Sequence, residues 1–183
     1  MHEDLLIRHC SPTLAGIKTG SIFVCPYENK QHVLQSMRCL NCKLGCKGLR
    51  ALPLRFSDKK VLIYVYRPKQ LCADLAKDDA SALLKNCGYD TQSCEKCLVQ
   101  LAQKLRQQGD FPHEIGLFLG YPPEDVRGFM ENEACDCKCV GCWKVYGDEE
   151  AAKKKFAQYK KCTRIYCDRW QKGSNIEKLT VPT

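Results

Sequence analysis

The sequence predicts a mixed α/β fold, in which a small mixed sheet with an antiparallel hairpin is flanked by several helices. Strand-forming and helix-forming runs alternate along the chain, and residues 50–56 and 60–66 are two β-prone runs separated by a short polar turn. The 183 residues match the usual size of one domain and contain no repeat and no Pro/Gly/Ser-rich linker. We therefore expect a single cysteine-rich domain over residues 1–183.

The N-terminal elements are predicted from helix capping and from the spacing of apolar residues. Ser11 followed by proline is typical of a helix start, so a short helix is expected through residues 13–15. Residues 21–24 form a short β-prone run. Apolar residues recur at helical spacing over 33–44, which predicts an amphipathic helix that ends at one of the two glycines that follow.

Three helices and a strand are predicted after the hairpin formed by residues 50–56 and 60–66. The polar residues 57–60 supply the hairpin turn. Apolar positions at helical spacing then predict helices at about 68–77, 79–87 and 94–108. The apolar run 115–119 is expected to form a further strand.

The C-terminal part is expected to contain two helices with a strand between them. Pro123 followed by two acids suits a helix start, because a missing N–H costs nothing there and negative charge favours the helix dipole. Residues 143–146 are predicted to be the last strand. A final helix is expected from Asp148, with aromatic residues along one side and lysines along the other.

Fifteen cysteines set the first limit on function. The N-terminus is acidic and its apolar run, residues 5–7, is too short for an export signal or a membrane span. A chain of this length also builds an apolar core without disulfides. We therefore expect a cytoplasmic protein without a membrane association, whose cysteines are thiols or metal ligands.

Positive charge is the second limit. The formal net charge is +8, and residues 38–70 contain nine lysines and arginines with one acid, Asp58. This basic segment is either a solvated surface or a site for an anion, and the partner expected is an acidic protein such as a flavodoxin-like redox protein. No nucleic-acid-binding motif is present, so a nucleic-acid partner is not expected.

The densest group of possible metal ligands is Cys135, Cys137, Cys139 and Cys142. Alternate side chains of a straight strand lie about 6.6 Å apart, whereas thiolates on one tetrahedral zinc ion lie about 3.8 Å apart. The spacer between Cys139 and Cys142 includes Gly141 and allows the backbone to turn toward one ion. This segment predicts a site for zinc or an iron–sulfur cluster, with packing as the alternative.

Two other cysteine groups have suggestive spacing. Cys39, Cys42 and Cys46 share one face if the segment is helical and would supply three ligands, or else a packing face. Cys94 and Cys97 lie at a predicted helix start, where the dipole lowers a thiol pKa and favours a redox-active dithiol. An ordinary helix start is the alternative for this second pair.

Cys10 is the candidate nucleophile of an enzymatic hypothesis. It adjoins the helix start predicted at Ser11, and His113 is a better candidate base than the adjacent His9, because neighbouring side chains rarely face each other. Packing and metal ligation remain open for Cys10. Whether the protein is an enzyme is left open by the sequence.

Three stretches together resemble a bacterial family of conserved hypothetical proteins, a domain of unknown function common in anaerobes. They are residues 9–20 (HCSPTLAGIKTG), 111–126 (FPHEIGLFLGYPPEDV) and 142–148 (CWKVYGD). The resemblance implies no activity, cofactor or catalytic residue. As candidate functional residues, it favours positions inside these stretches over the set Cys39, Cys42 and Cys46, which lies outside them. The favoured positions are Cys10, Lys18, His113, Glu114, Tyr121 and Cys142.

Three functional hypotheses follow from these observations. The first is a thiol or metal protein that binds zinc or an iron–sulfur cluster, or exchanges electrons through thiols, and docks an acidic redox partner. The second is a cysteine-dependent hydrolase or transferase that uses Cys10 with His113. The third is a metal-free binding protein that uses the basic segment 38–70.

Overall fold

The computed structural model describes residues 3–107 and 111–182. Helices and strands alternate along the chain, which confirms the predicted mixed α/β class. In chain order the elements are α1 (Glu3–Leu14), β1 (Gly20–Pro26), α2 (Lys30–Leu44), a 3-10 turn (Gly45–Lys47), β2 (Arg50–Ser57), β3 (Lys60–Tyr66), α3 (Pro68–Leu75), α4 (Asp78–Asn86), α5 (Cys94–Arg106), α6 (Ile115–Phe118), α7 (Pro123–Glu131), β4 (Cys139–Val140), β5 (Lys144–Val145), α8 (Glu149–Gln171) and α9 (Ile176–Leu179).

The chain divides into two compact units. Unit 1 comprises Met1–Lys69 and Lys161–Thr183, and unit 2 comprises Gln70–Lys160. The expectation of one domain over residues 1–183 therefore stays a prediction.

Unit 1 contains a three-stranded antiparallel sheet in the order β1-β3-β2. Its β2–β3 hairpin, the strongest sequence prediction, is confirmed, and the register shifts between Pro53 and Arg55. Asp58 and Lys59 form the turn with φ of 33° and 61°. Positive φ at both central residues gives the turn a twist that matches the strands it joins.

The core of unit 1 includes one charged side chain. Arg67 is 1% exposed. Its Nε donates to the Thr13 carbonyl at 2.6 Å, and its Nη2 donates to the carbonyls of Leu14 at 2.6 Å and Val181 at 2.8 Å. Because a buried charge is tolerated only when its donors are satisfied, Arg67 fastens the end of α1 to the C-terminal segment.

Helix α1 differs from the prediction. It begins at Glu3, with Glu3 and Asp4 in its first turn, and Ser11 and Pro12 lie near its C-terminal end. The Ser11 hydroxyl donates back to the Ile7 carbonyl rather than capping a new helix. Pro12 has no N–H to donate to the Arg8 carbonyl, so α1 lacks one helical hydrogen bond in its last turn.

The strand predicted at 115–119 is wrong. Residues 115–118 form α6, and all four are buried. A short apolar run is compatible with a buried strand and with a buried helix, because the spacing of apolar residues does not separate the two. Helix α9, strand β4 and the 3-10 turn had no sequence prediction, and the predicted end of the 94–108 helix at residue 108 lies outside the described residues.

The predictions of the other helices and strands are confirmed, with ends that differ by a few residues. Helix α8 begins immediately after Asp148, whose Oδ1 accepts a hydrogen bond from the Ala151 N–H at 3.0 Å. An aspartate at this position satisfies one of the unpaired N–H groups at a helix start. Within residues 3–107 and 111–182, no helix combines the length and the apolar character needed to cross a membrane.

Candidate functional site

Two thiols from different helices meet in unit 2. Cys94, the first residue of α5, is hydrogen-bonded with Cys72 of α3, and both residues are partly exposed. Cys97, one helical turn further on, is buried, and its Sγ donates to the Asp90 carbonyl at 3.4 Å. The Cys72–Cys94 pair therefore differs from the Cys94/Cys97 pair that the sequence spacing suggested.

Burial and the neighbouring thiol hold Cys94 in its protonated form. Burial raises the pKa of Cys94 far above its ordinary value, and the hydrogen bond with Cys72 and the charge of the Cys72 thiolate raise it further. Burial also raises the pKa of Cys97. The lowering of the thiol pKa expected from the dipole of α5 is thus outweighed by desolvation. Cys94 acts as the hydrogen-bond donor of the pair.

The start of α5 is held in place by side chains around Cys94. The Ser93 hydroxyl caps the helix by accepting from the Lys96 N–H at 3.1 Å. The Lys96 ammonium donates to Asp90 Oδ2 at 2.7 Å, and the Asp90 N–H donates to Gln100 Oε1 at 2.8 Å. These contacts fix the first turn of α5 and with it the position of the Cys94 sulfur.

A buried polar network ties α5 to the segment before α6. Glu114 is 5% exposed, and its Oε1 accepts from the Tyr89 hydroxyl at 2.9 Å and from Lys104 Nζ at 3.1 Å. Lys104 Nζ also donates to the Cys87 carbonyl at 2.7 Å. Burial, and then the charge of Glu114, raises the pKa of Tyr89. Glu114 lies in one of the family-like stretches. Its contacts show a structural role, since its carboxylate is buried and hydrogen-bonded to Tyr89 and Lys104.

Unit 2 also contains a cavity of about 280 Å³. His113, which is exposed, contributes to its wall. The other lining residues are Ile115, Gly116, Tyr121, Asp125, Val126, Phe129, Val140, Gly141, Trp143 and Lys144. The cavity thus lies where the family-like stretches 111–126 and 142–148 come together.

Asp125 organises the wall of this cavity. It is 3% exposed, and its Oδ2 accepts from Trp143 Nε1 at 2.6 Å. Its Oδ1 accepts from the backbone N–H groups of Tyr146 and Gly147, each at 2.7 Å. Both carboxylate oxygens are therefore engaged, and they hold Trp143 against the cavity.

The cysteines of the predicted metal segment lie around the β4–β5 hairpin. Cys139 begins β4, Cys142 is exposed in the connecting turn, and the carbonyl of Cys142 accepts from the Tyr121 hydroxyl at 3.3 Å. A Cβ on Gly141 would lie 2.2 Å from the ring of Phe156, so close packing by itself requires glycine in the spacer. Glycine at this position is therefore not evidence for a metal.

The residues before β4 are not a straight strand. Glu133, Ala134 and Asp136 have φ of 47°, 66° and 54°, so the chain bends around Cys135 and Cys137. In the described part of the chain, no three His, Cys, Asp or Glu side chains are arranged to hold a metal ion. The zinc or iron–sulfur site at the hairpin cysteines stays a prediction.

The other predicted cysteines lie in unit 1. Cys39 and Cys42 are on α2 and Cys46 is in the 3-10 turn, and all three are exposed. Cys10 is fully buried in the core, and burial raises its pKa to about 12. A buried, protonated thiol is a poor nucleophile. His113, the base proposed for it, belongs to unit 2, so the catalytic pair has no support from the geometry within either unit.

Several cationic side chains of the basic segment 38–70 donate hydrogen bonds to backbone carbonyls of unit 1. Besides the buried Arg67, Lys47 Nζ donates to the carbonyls of Glu177 and Thr180, the latter at 2.9 Å. Arg50 Nη1 donates to the Asn41 carbonyl at 3.2 Å. Lys18, ranked by the family resemblance, is 9% exposed and donates to the Gly20 carbonyl. An acidic, flavodoxin-like partner for the basic segment stays a prediction.

Sequence reasoning missed Cys72, which had no spacing signal because it lies on a different helix from Cys94. It also missed the cavity, although the family-like stretches contain most of the lining residues. Comparisons with curated proteins and with solved structures found no match. A family described as "Protein of unknown function (DUF3793)" has a model that matches residues 6–180, and the chain therefore belongs to that family.

Proposed function

We propose that the protein is a thiol redox protein that cycles between a dithiol and a disulfide at Cys72 and Cys94. The observation that carries this proposal is the hydrogen bond between these two side chains, which come from α3 and α5. Disulfide formation needs the two sulfurs to be brought together by the fold, and a hydrogen-bonded pair already meets most of that requirement. Partial exposure of both residues gives a partner access to the pair.

The oxidant is a disulfide, either of a small thiol or of a partner protein. The Cys72 thiolate attacks one sulfur of that disulfide and expels a thiolate, which leaves a mixed disulfide on Cys72. In the mixed disulfide Cys72 carries no negative charge, so one of the causes that raise the pKa of Cys94 is removed. Cys94 then attacks the Cys72 sulfur and expels the second thiolate, which takes up the proton that Cys94 loses. In total two cysteine thiols are oxidised to one protein disulfide, and one external disulfide is reduced to two thiols. The reverse sequence returns the protein to the dithiol and oxidises two external thiols to a disulfide.

A redox titration tests the proposal. The protein is equilibrated in buffers of reduced and oxidised dithiothreitol, and the remaining thiols are counted after acid quenching and alkylation. Wild type is expected to lose two thiols in one transition, and Cys72→Ser and Cys94→Ser are each expected to lack it. Cys162→Ser is the control, since Cys162 is partly buried like the pair but lies on α8. A transition that persists in Cys94→Ser would refute the proposal.

Metal binding by the hairpin cysteines is a second candidate function, favoured by one observation. The buried hydroxyl of Tyr146 has no hydrogen-bond partner among the described residues. Burial raises the pKa of Tyr146, and the charges of Cys137, Cys135 and Asp136 raise it further, so these three side chains lie near the hydroxyl. A thiolate that coordinates a metal accepts hydrogen bonds from neighbouring groups. Closure of the bent segment on an ion would give the Tyr146 hydroxyl such an acceptor.

Metal analysis of anaerobically purified protein tests the second candidate. Zinc or iron near one equivalent is expected, with loss of the metal in Cys142→Ser and Cys137→Ser. Tyr146→Phe is expected to weaken metal affinity about tenfold or more, as removal of a supporting hydrogen bond does at other metal sites. Cys72→Ser is the control and should retain the metal. Metal-free wild-type protein, prepared without chelator, would exclude this candidate while leaving the dithiol proposal intact.

A further inference from the structure

The cavity of unit 2 has the size and walls of a small-molecule site. Its volume is about 280 Å³, and its largest wall residues are the rings of Tyr121, Phe129 and Trp143. The rings of Trp143 and Tyr121 stack with centroids 4.7 Å apart and an interplanar angle of 28°. An apolar cavity of roughly 150 Å³ is enough to bind benzene. This cavity therefore has room for one aromatic ring together with a substituent.

The charged side chains that line the cavity favour a negatively charged substituent. Lys144 Nζ donates to the Ala134 carbonyl at 2.6 Å, which leaves two of its three ammonium donors for a ligand. His113 adds an imidazole whose ring lies 4.9 Å from that of Phe129. Asp125 is the one acid among the described lining residues, and its oxygens are occupied by Trp143 and by backbone N–H groups.

A cationic ligand is disfavoured at this site. The Lys144 ammonium lies 5.9 Å from the centroid of the Phe129 ring, so a positive charge already faces that part of the wall. A second cation among the rings would be repelled by it, whereas an anion would gain a charge-assisted hydrogen bond. Val140, which lines the cavity and is 70% exposed, marks an apolar edge that a ligand would partly cover.

We propose that this cavity binds a small aromatic carboxylate. The ring of the ligand lies among Tyr121, Phe129 and Trp143, and its carboxylate accepts from the Lys144 ammonium and from a ring N–H of His113. Aromatic walls supply most of the affinity by burying apolar surface, and the lysine supplies the preference for an acid. This site does not depend on the redox state of Cys72 and Cys94.

Ligand-detected NMR with benzoate as the probe tests this inference. Benzoate is expected to bind with a Kd of about 1 mM or tighter, consistent with the efficiency of ligands of its size. Benzylamine, of similar shape and opposite charge, is expected to bind at least about tenfold more weakly. Cyclohexanecarboxylate buries a similar apolar surface but cannot stack on the rings, so it is expected to bind about two- to tenfold more weakly. Equal binding of benzoate and benzylamine, or no benzoate signal, would overturn the proposal.

Two exposed valines provide matched variants. Val140→Glu puts a negative charge at the cavity and is expected to weaken benzoate binding about tenfold or more, whereas Val99→Glu, at an exposed position of α5, should leave it unchanged. Lys144→Met keeps the apolar stem and should also cost about tenfold for benzoate. Circular dichroism confirms that the variants are folded. Equal benzoate affinity in the two glutamate variants would show that benzoate binds elsewhere.

Discussion

The thiols of the two units differ in what surrounds them. In unit 1, Cys39, Cys42 and Cys46 have the regular spacing of a ligand set but are all exposed. In unit 2, Cys72 and Cys94 have no spacing relation and yet are hydrogen-bonded across two helices. The thiol pair proposed as redox-active is therefore recognised by a contact between two helices, and not by the spacing of cysteines along one helix.

Alkylation rates should show the largest difference between buried and exposed thiols. Cys10 has no exposed surface and a pKa raised to about 12 by burial, whereas Cys42 is exposed. We expect iodoacetamide to modify Cys10 in the native state at least about 100-fold more slowly than Cys42, since modification of Cys10 requires opening of the core. Peptide mass spectrometry at successive times measures both rates. Similar rates would mean that the core of unit 1 is open.

The disulfide of unit 2 should stabilise the protein measurably. A bond between Cys72 and Cys94 closes a loop of roughly 20 residues in the unfolded chain. Closing a loop of that size stabilises the folded state by about 3 kcal/mol. The free energy of unfolding in urea is therefore expected to be about 3 kcal/mol greater for the oxidised than for the reduced protein. Cys94→Ser, treated with the same oxidant, should show no gain. An oxidised protein less stable than the reduced one would indicate that the bond distorts the native helices.

The buried Cys10 should make stability fall at high pH. Its pKa is raised from 9.0 to about 12 in the folded protein, so the folded state keeps a proton that the unfolded state loses. The stabilisation is complete below pH 9 and is lost as the pH rises toward 12. Cys10→Ala should reduce the slope of unfolding free energy by up to about 1.4 kcal/mol per pH unit in this range, measured by urea unfolding. Cys42→Ala, at an exposed site, should leave the slope unchanged.

The smallest effects are expected at the exposed thiols. Cys39→Ser, Cys42→Ser and Cys46→Ser replace surface side chains, so each should change the free energy of unfolding by no more than about 0.5 kcal/mol. Urea denaturation of each variant measures the change. A loss of several kcal/mol in any one of them would instead show that these thiols form a structural site.

Local patterns predicted the elements of this fold better than its tertiary contacts. Turn residues and apolar spacing located the hairpin and helix α2, because those signals act within a few residues. The same signals failed at α6, where a buried helical turn and a buried strand have the same composition. They also failed at Cys72, because its contact with Cys94 arises only when α3 and α5 pack together.

The most direct test of the thiol proposal is to identify the disulfide itself. The protein is oxidised in a dithiothreitol buffer at the midpoint of its transition, free thiols are blocked, and the proteolytic peptides are sequenced by mass spectrometry without reduction. The account predicts one major cross-linked species, joining the peptide that contains Cys72 to the peptide that contains Cys94. A major bond between Cys94 and Cys97, or bonds confined to the exposed Cys39, Cys42 and Cys46, would contradict it.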